Sequence, residues 1–395
     1  MKKRKEIAVT RQSLSALSRK ALYVITKSVC YRLRSPCKRV VLMAYQGRAT
    51  MNKDFLFDLL NTGSVSGNEA ELEKKIYEYM QDKADRVTVD ELGNVTAVIN
   101  PDAPFKVLLA GHADEIGLMV TAVGNDGTLM VTNIGGIYTT TYPGHKVRIY
   151  TKNGIIYGAV ANSREIAKNS ELKAADLRID IGAKDKADAL KYVELGDTVT
   201  FDTDVRELQN GCISGRALDD RLGAFIVMEA LAKAGEKGAA VGCYAVTTTG
   251  EETTGNGAYF TSSRVQPNIA IAVDVTYTSD NCGISEALTG DIAVGKGPVI
   301  CNNPSIHKKL NKKLRACAAK LGMQIQTEAA NGRTGTDGDT MHRTGIGVPF
   351  ALVSIPLRYM HNPDEVGSLA DVQDCIDLLA EFFVSCTEDM DLRPF

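Results

Sequence analysis

Apolar positions along this chain recur with two textures, and the alternation between them organises the reading. At 69–82, Leu72, Ile76 and Met80 fall four residues apart, the spacing of one helix face. Short apolar runs at 87–89 and 95–99, with Gly93-Asn94 at the intervening turn, predict paired strands. The run 107–110 predicts a buried strand that leads straight into Gly111-His112. Beyond residue 209 the helical spacing returns. Leu222, Phe225, Ile226 and Ala230 mark one helix, Ile306, Leu310, Leu314 and Ala318 a second, and Val372, Ile376, Leu379 and Phe383 a third. Between them, runs at 241–248, 269–273 and 350–355 predict buried strands. Strands alternating with helices predict an α/β fold with a mostly parallel central sheet flanked by helices.

From 119 to 208 the texture differs. Short β-like runs at 129–131, 146–150, 155–160, 177–181 and 198–201 are separated by glycine turns. This predicts a small β-rich domain inserted into the larger one, with gating or assembly as its role because it clusters no His, Cys or acidic pairs. The expected organisation is a basic extension at 1–50, a main domain built from 51–118 and 209–395, and the insert at 119–208.

Composition narrows the class. Apolar residues make up 44% and charged residues 24%, ordinary for a soluble globular protein. No apolar run has membrane-spanning length. Nine cysteines without a C-x-x-C pair suit a reducing compartment and the cytoplasm, and argue against a disulfide framework. The net charge of −2 conceals an asymmetry. Residues 1–50 carry 13 Lys/Arg against one acid, Glu6, a balance of +12; the remainder carries 33 Lys/Arg against 47 Asp/Glu, a balance of −14. An acidic body gives no support for nucleic-acid binding. The basic segment reads as a transit peptide, as an arm for an anionic surface, or as a stretch outside the folded enzyme. The last reading is adopted, because Met51 opens a stretch at 55–80 that reads as the first helices of a domain.

The candidate chemistry sits at the ends of the predicted strands and at one helix start, where an open α/β sheet binds its ligands. His112, Asp219, Glu252, Asp274 and His361 have metal-ligand chemistry, and Glu251 adds a carboxylate free to act on water. In Gly111–Glu115, Asp114 stands two residues from His112 and can support the imidazole's second nitrogen. Glu251 and Glu252 follow a strand, so they point different ways, one to a metal and one to the substrate water. Asp274 interrupts a buried strand, and an unpaired carboxylate there needs a cation or donors. Asp219-Asp220-Arg221 opens a helix. Asp219 is either its cap or a carboxylate shared by two metals, with Arg221 offsetting the negative charge. His145, His307 and His342 have no such setting and are read as surface or helix residues. No P-loop, G-x-S-x-G, H-E-x-x-H or G-x-G-x-x-G motif supports another site type.

The runs A-G-H-A-D-E-I-G, A-L-D-D-R-L-G, T-G-E-E, A-V-D-V-T, G-T-D-G-D and S-I-P-L-R-Y-M-H-N-P, in that order across 51–390, resemble the tetrahedral (glutamyl/deblocking) metallo-aminopeptidases, some of which carry an endoglucanase label. The resemblance implies that His112 and Asp274 hold one metal, that Glu252 and His361 hold the other, and that Asp219 bridges them through a cis peptide to Asp220. It implies Glu251 as general base, Asp114 as support for His112, and the insert as the part that builds twelve-subunit tetrahedral particles. Two departures stand out. Thr253-Thr254-Gly255-Asn256-Gly257 lacks the arginine common in Val-Gly-x-Arg-Gly, and Tyr277 replaces a common histidine. Both bear on specificity and assembly while leaving the ligand set intact.

The expected function is therefore a two-metal aminopeptidase acting on peptides. It uses two divalent ions per subunit, zinc or cobalt with manganese also compatible. It works as a homo-oligomer without nucleic-acid or membrane partners. Two alternatives stand: another two-metal amide hydrolase, such as a deacylase or carboxypeptidase, and a non-catalytic relative used for binding or assembly.

Overall fold

The computed structural model describes residues 51–281 and 284–395; the basic segment 1–50, and with it all three of its readings, lies outside the described residues. Helix α1 (Lys53–Asn61) starts at Asn52, whose side chain accepts from the Phe55 N–H. Helix α2 (Ala70–Met80) buries Leu72, Ile76 and Met80, the predicted face. Strands β1 (Arg86–Val89), β2 (Val95–Ile99) and β3 (Lys106–His112) follow.

The chain then leaves the main sheet. Strands β4 (Gly117–Val123), β5 (Leu129–Ile134), β6 (Lys146–Thr151), β7 (Gly154–Val160), β8 (Arg178–Asp180) and β9 (Thr198–Phe201) close a barrel in the order β4-β5-β8-β7-β6-β9. The barrel has its own apolar centre, including Leu118, Val131, Val147, Ile149, Ile179 and Val199. Two short strands, β10 (Arg206–Glu207) and β11 (Cys212–Gly215), lead back to the main body.

There the elements are α3 (Leu218–Glu236), β12 (Gly242–Thr248), α4 (Asn256–Val265), β13 (Ile269–Tyr277), β14 (Val299–Asn302), α5 (Lys308–Leu321), β15 (Gln326–Ala329), β16 (Phe350–Leu357), β17 (Glu365–Ser368) and α6 (Leu369–Ser385). The eight-stranded sheet runs β1-β2-β12-β3-β13-β16-β14-β15. Its four central strands, β12, β3, β13 and β16, are mutually parallel. At the margins β1–β2, β2–β12 and β14–β16 pair antiparallel, so the sheet is mixed. Every residue of β12 and β16 is buried, which explains why these strands read as continuous apolar runs and not as alternating ones. Strands β10, β11 and β17 form a separate three-stranded sheet. Among the described residues no helix is long and apolar enough to cross a membrane.

Candidate metal centre

The carboxyl ends of the central parallel strands bring the site together. His112 ends β3 and pairs with Thr248 at the end of β12. Ala272 of β13 pairs with Ala110 of β3, so two residues further on Asp274 arrives beside His112. The start of α3 comes to the same place because two glycines let it approach. A Cβ on Gly111 would lie 2.5 Å from the backbone of Gly223, a distance that only glycine tolerates. Asp219 and Asp220 depart from helical φ/ψ at this junction, and the peptide bond between them is cis.

Two donor groups result. His112, Asp219 and Asp274 form one, and Asp219, Glu252 and His361 the other; within each group, ligand atoms lie within 4.8 Å of one another. Asp219 belongs to both. Its Oδ1 is 3.3 Å from His112 Nε2 and its Oδ2 is 3.2 Å from His361 Nε2. Glu252 Oε1 stands 3.6 Å from His361 Nε2. Glu251 belongs to neither group, yet its Oε2 is 3.9 Å from His112 Nε2. The adjacent glutamates thus face opposite halves of the site.

Both imidazoles are turned the same way. His112 Nδ1 is 3.0 Å from the Asp114 carbonyl oxygen, and His361 Nδ1 is 2.7 Å from the Gly136 carbonyl oxygen. A carbonyl only accepts, so each Nδ1 donates and each Nε2 keeps its lone pair for a cation. Gly136 lies in the barrel's segment after β5, where a Cβ would come within 3.3 Å of the His361 ring.

Asp114 does more than sit near His112. Its Oδ1 accepts from the Glu251 N–H at 3.0 Å and its Oδ2 from the Glu252 N–H at 3.1 Å, which fixes the loop that carries both glutamates. Asp220 accepts from the His112 N–H at 3.1 Å.

Without cations the cluster is electrostatically crowded. Burial pushes Glu251 up to about 9 and Glu252 up to about 8, each opposed by imidazole and raised further by nearby acids. Burial also lifts Asp274 well above the carboxylate range. Burial would raise Asp219 as well, but His112 and His361 outweigh it and hold that carboxyl low. For His361 burial works downward, yet Asp219 and Glu252 lift it to about 10. Buried carboxylates of this density require positive charge. Imidazole nitrogen plus carboxylate oxygen is a donor set that suits zinc, cobalt or manganese.

All seven residues read from the sequence meet here. One companion reading is corrected: Arg221 does not offset the charge of Asp219. The residues before it leave the helical path, and its guanidinium turns away to Glu115, the Ser64 hydroxyl and the carbonyls of Leu59 and Leu60. Arg216 joins the same Glu115 at 2.5 Å. His145, His307 and His342 join neither donor group. Sequence reasoning missed Gly136, Glu365 and Asp337, and it read Asp220 only for its peptide bond and not for its side chain. Glu365 accepts from the backbone N–H groups of Asp219 and His361. Asp337, buried in the G-T-D-G-D run, accepts from Thr248 Oγ1 at 2.5 Å, and burial pushes it up to about 6. A buried acid inside a glycine-rich run was the available signal for Asp337. Gly136 acts through its backbone and offered none.

A family model for the M42 glutamyl aminopeptidases matches residues 93–378. A relative from Acetivibrio thermocellus is 35% identical over 84% of this chain and 99% of its own length. A lysyl aminopeptidase of Pyrococcus furiosus is 32% identical over 85% of this chain and 97% of its own. Among solved structures, a TET aminopeptidase from a marine sediment archaeon of the Thaumarchaeota superposes with a TM-score of 0.79 at 28% identity, over 85% of this chain and 97% of that one. A TET1 peptidase of Pyrococcus horikoshii, described as assembling into a tetrahedron or a large octahedral shell, superposes with a TM-score of 0.75 at 27% identity over 85% and 99%.

Proposed function

The chain belongs to the M42 glutamyl aminopeptidase family, and from that premise we propose that it removes N-terminal residues from peptides with two divalent cations and Glu251 as the base. That it is a peptide hydrolase acting at N-termini follows from the family itself. The finer assignment rests on the arrangement of this chain's residues. His112 and Asp274 would hold one cation, Glu252 and His361 the other, and Asp219 both. Cations bound there polarise the scissile carbonyl and lower the pKa of a water toward neutrality.

The protein's own groups do the remaining work. Glu251 reaches the His112 side of the site without joining either donor group, so it is free to take a proton from the attacking water and deliver it to the leaving amine. Asp114 holds the backbone of both glutamates, which keeps the base and its ligand neighbour on opposite sides. The substrate's free amine, a cation, would be drawn to the surrounding carboxylates.

One observation carries the proposal: two donor groups meet at a single shared carboxylate, Asp219, with a further carboxylate beside them. The test compares peptides with free and N-acetylated ends, before and after chelation. Hydrolysis restricted to free N-termini, lost on chelation and restored by zinc or cobalt, is expected. Cleavage of the acetylated peptide at equal rate would favour a deacylase or endopeptidase instead.

The barrel is proposed to serve assembly, and the working protein to be a homo-oligomer, in the extended form a tetrahedral dodecamer, active in the cytoplasm. Its TET relatives, one of them solved as a dodecamer, support this. Light scattering on the purified protein reads the particle mass directly; a monomer at micromolar concentration would exclude it.

A further inference from the structure

The two donor groups are not held alike. His112 and Asp274 stand on adjacent central strands, and the group they form with Asp219 is wholly buried. His361 stands instead on the connection between β16 and β17, and its group is partly open. Its backbone adopts φ +64°, the left-handed region that residues with a side chain rarely occupy. Something must hold it there.

Glu365, the first residue of β17, is 2% exposed and uses both oxygens. Oε1 accepts from the His361 N–H at 2.8 Å, and Oε2 accepts from the Asp219 N–H at 3.2 Å. One side chain therefore ties the shared carboxylate's backbone to that of the second group's imidazole. The small sheet explains how it arrives: Glu365 pairs with Gly215 of β11, and Asp219 follows Gly215 by four residues. The first group is tied independently of Glu365, by Asp220, whose two oxygens accept from the His112 and Gly223 N–H groups. His112 gives its N–H to Asp220 and its ring to the Asp114 carbonyl.

We infer that Glu365 is a positioning residue chiefly for the second cation site, Asp219–Glu252–His361, where it holds two ligand backbones, and that the first site feels it only through the shared Asp219. The inference rests on the two-cation reading above. Glutamine at 365 keeps the shape but offers one acceptor oxygen and turns an NH2 group toward the other N–H, so one of the two ties is lost. Side chains that orient metal ligands in this way change metal affinity by ~10–100-fold when replaced.

The test titrates cobalt(II) into chelator-treated wild-type protein, Glu365→Gln and Glu365→Asp, following visible absorption and bound metal. Wild type is expected to take two equivalents. In Glu365→Gln the first step should keep its spectrum and weaken far less than the second, which weakens by about 10–100-fold. Glu365→Asp keeps two acceptor oxygens with a shorter reach and should fall between; if the glutamine variant does not fold, it decides the matter by the same criteria. Equal weakening of both steps, or no change in either, overturns the inference. A wild type that takes fewer than two cobalt ions ends the two-cation reading and this inference with it.

Discussion

Replacing Glu251 by glutamine separates the base from the ligands. The side chain is 16% exposed, with Oε2 3.9 Å from His112 Nε2, and it belongs to neither donor group. Its backbone N–H is held by Asp114 Oδ1 at 3.0 Å, a bond that does not involve the side chain being changed. The substitution therefore keeps the loop, the volume and the ligands, and removes only the ability to accept a proton. General acid–base catalysis contributes ~10²–10⁴-fold, and at about 1.4 kcal/mol per tenfold this is roughly 3–5 kcal/mol of barrier. Folding should not suffer, because burial already pushes this carboxyl up to about 9 in the ion-free protein, and a neutral amide relieves that cost. The assay is hydrolysis of an aminoacyl chromogenic amide at saturation, with bound metal measured on the same samples. The expected result is kcat lowered by about two to four orders of magnitude at unchanged metal content. A variant that loses its metal would show that Glu251 and Glu252 have exchanged roles. One that retains nearly full kcat would remove Glu251 from the chemistry altogether.

Asp114→Asn leaves a single acceptor oxygen for the Glu251 and Glu252 N–H groups, so one charged hydrogen bond is lost; stability should fall by about 1.5–3 kcal/mol in a urea titration, and kcat with it. Glu115→Gln unpairs the buried Arg216 and Arg221 and should cost about 3–5 kcal/mol in the same assay. That cost depends on pH. Burial would raise the Glu115 pKa, but the two guanidiniums outweigh burial and hold it low. Its contribution is thus full above the unfolded value near 4.5 and is lost as pH falls through the lower folded one. Urea midpoints taken from neutral to acid pH should converge for wild type and variant, and parallel curves would contradict the pairing. Chelation should lower Tm, since ions at about 100 times Kd stabilise the folded state by about 2.7 kcal/mol; an unchanged Tm with metal removed would mean the site does not bind ions tightly.

The ligands were legible in the sequence because the sheet announces them. β3, β12 and β13 are apolar runs, and His112, Glu251, Glu252 and Asp274 stand where those runs stop or break. Glu365 was not legible. In N-P-D-E-V-G it reads as a polar turn, and its burial comes from the β11–β17 pairing, which joins segments 150 residues apart with no local period to mark them. Arg221 misled because closeness in sequence stood in for closeness in space: residues two apart at a helix start do not face each other, and its guanidinium is taken by Glu115. The margin formed by β14 and β15 was missed, whereas β1 and β2 at the opposite margin were read from their apolar runs and the Gly93-Asn94 turn.

The two halves of the site draw on different levels of the fold, and this bears on how each can vary. The His112–Asp274 half starts from strand register: once Ala272 pairs with Ala110 the two ligands stand on adjacent central strands, and Asp220 and the Asp114 carbonyl then hold the His112 backbone and ring. The His361 half depends on three separate contributions: Glu365 for its backbone, Gly136 of the barrel for its ring, and Asp114 for the Glu252 loop. Each is a hydrogen bond from a segment outside the central strands, and such segments open locally at lower free energy than core strands do. A substitution near the barrel's segment after β5 can therefore reach the chemistry without touching a ligand. A side chain at 136 would press on the His361 ring, whereas substitutions of equal size on the outer wall of the barrel would leave that ring where it is.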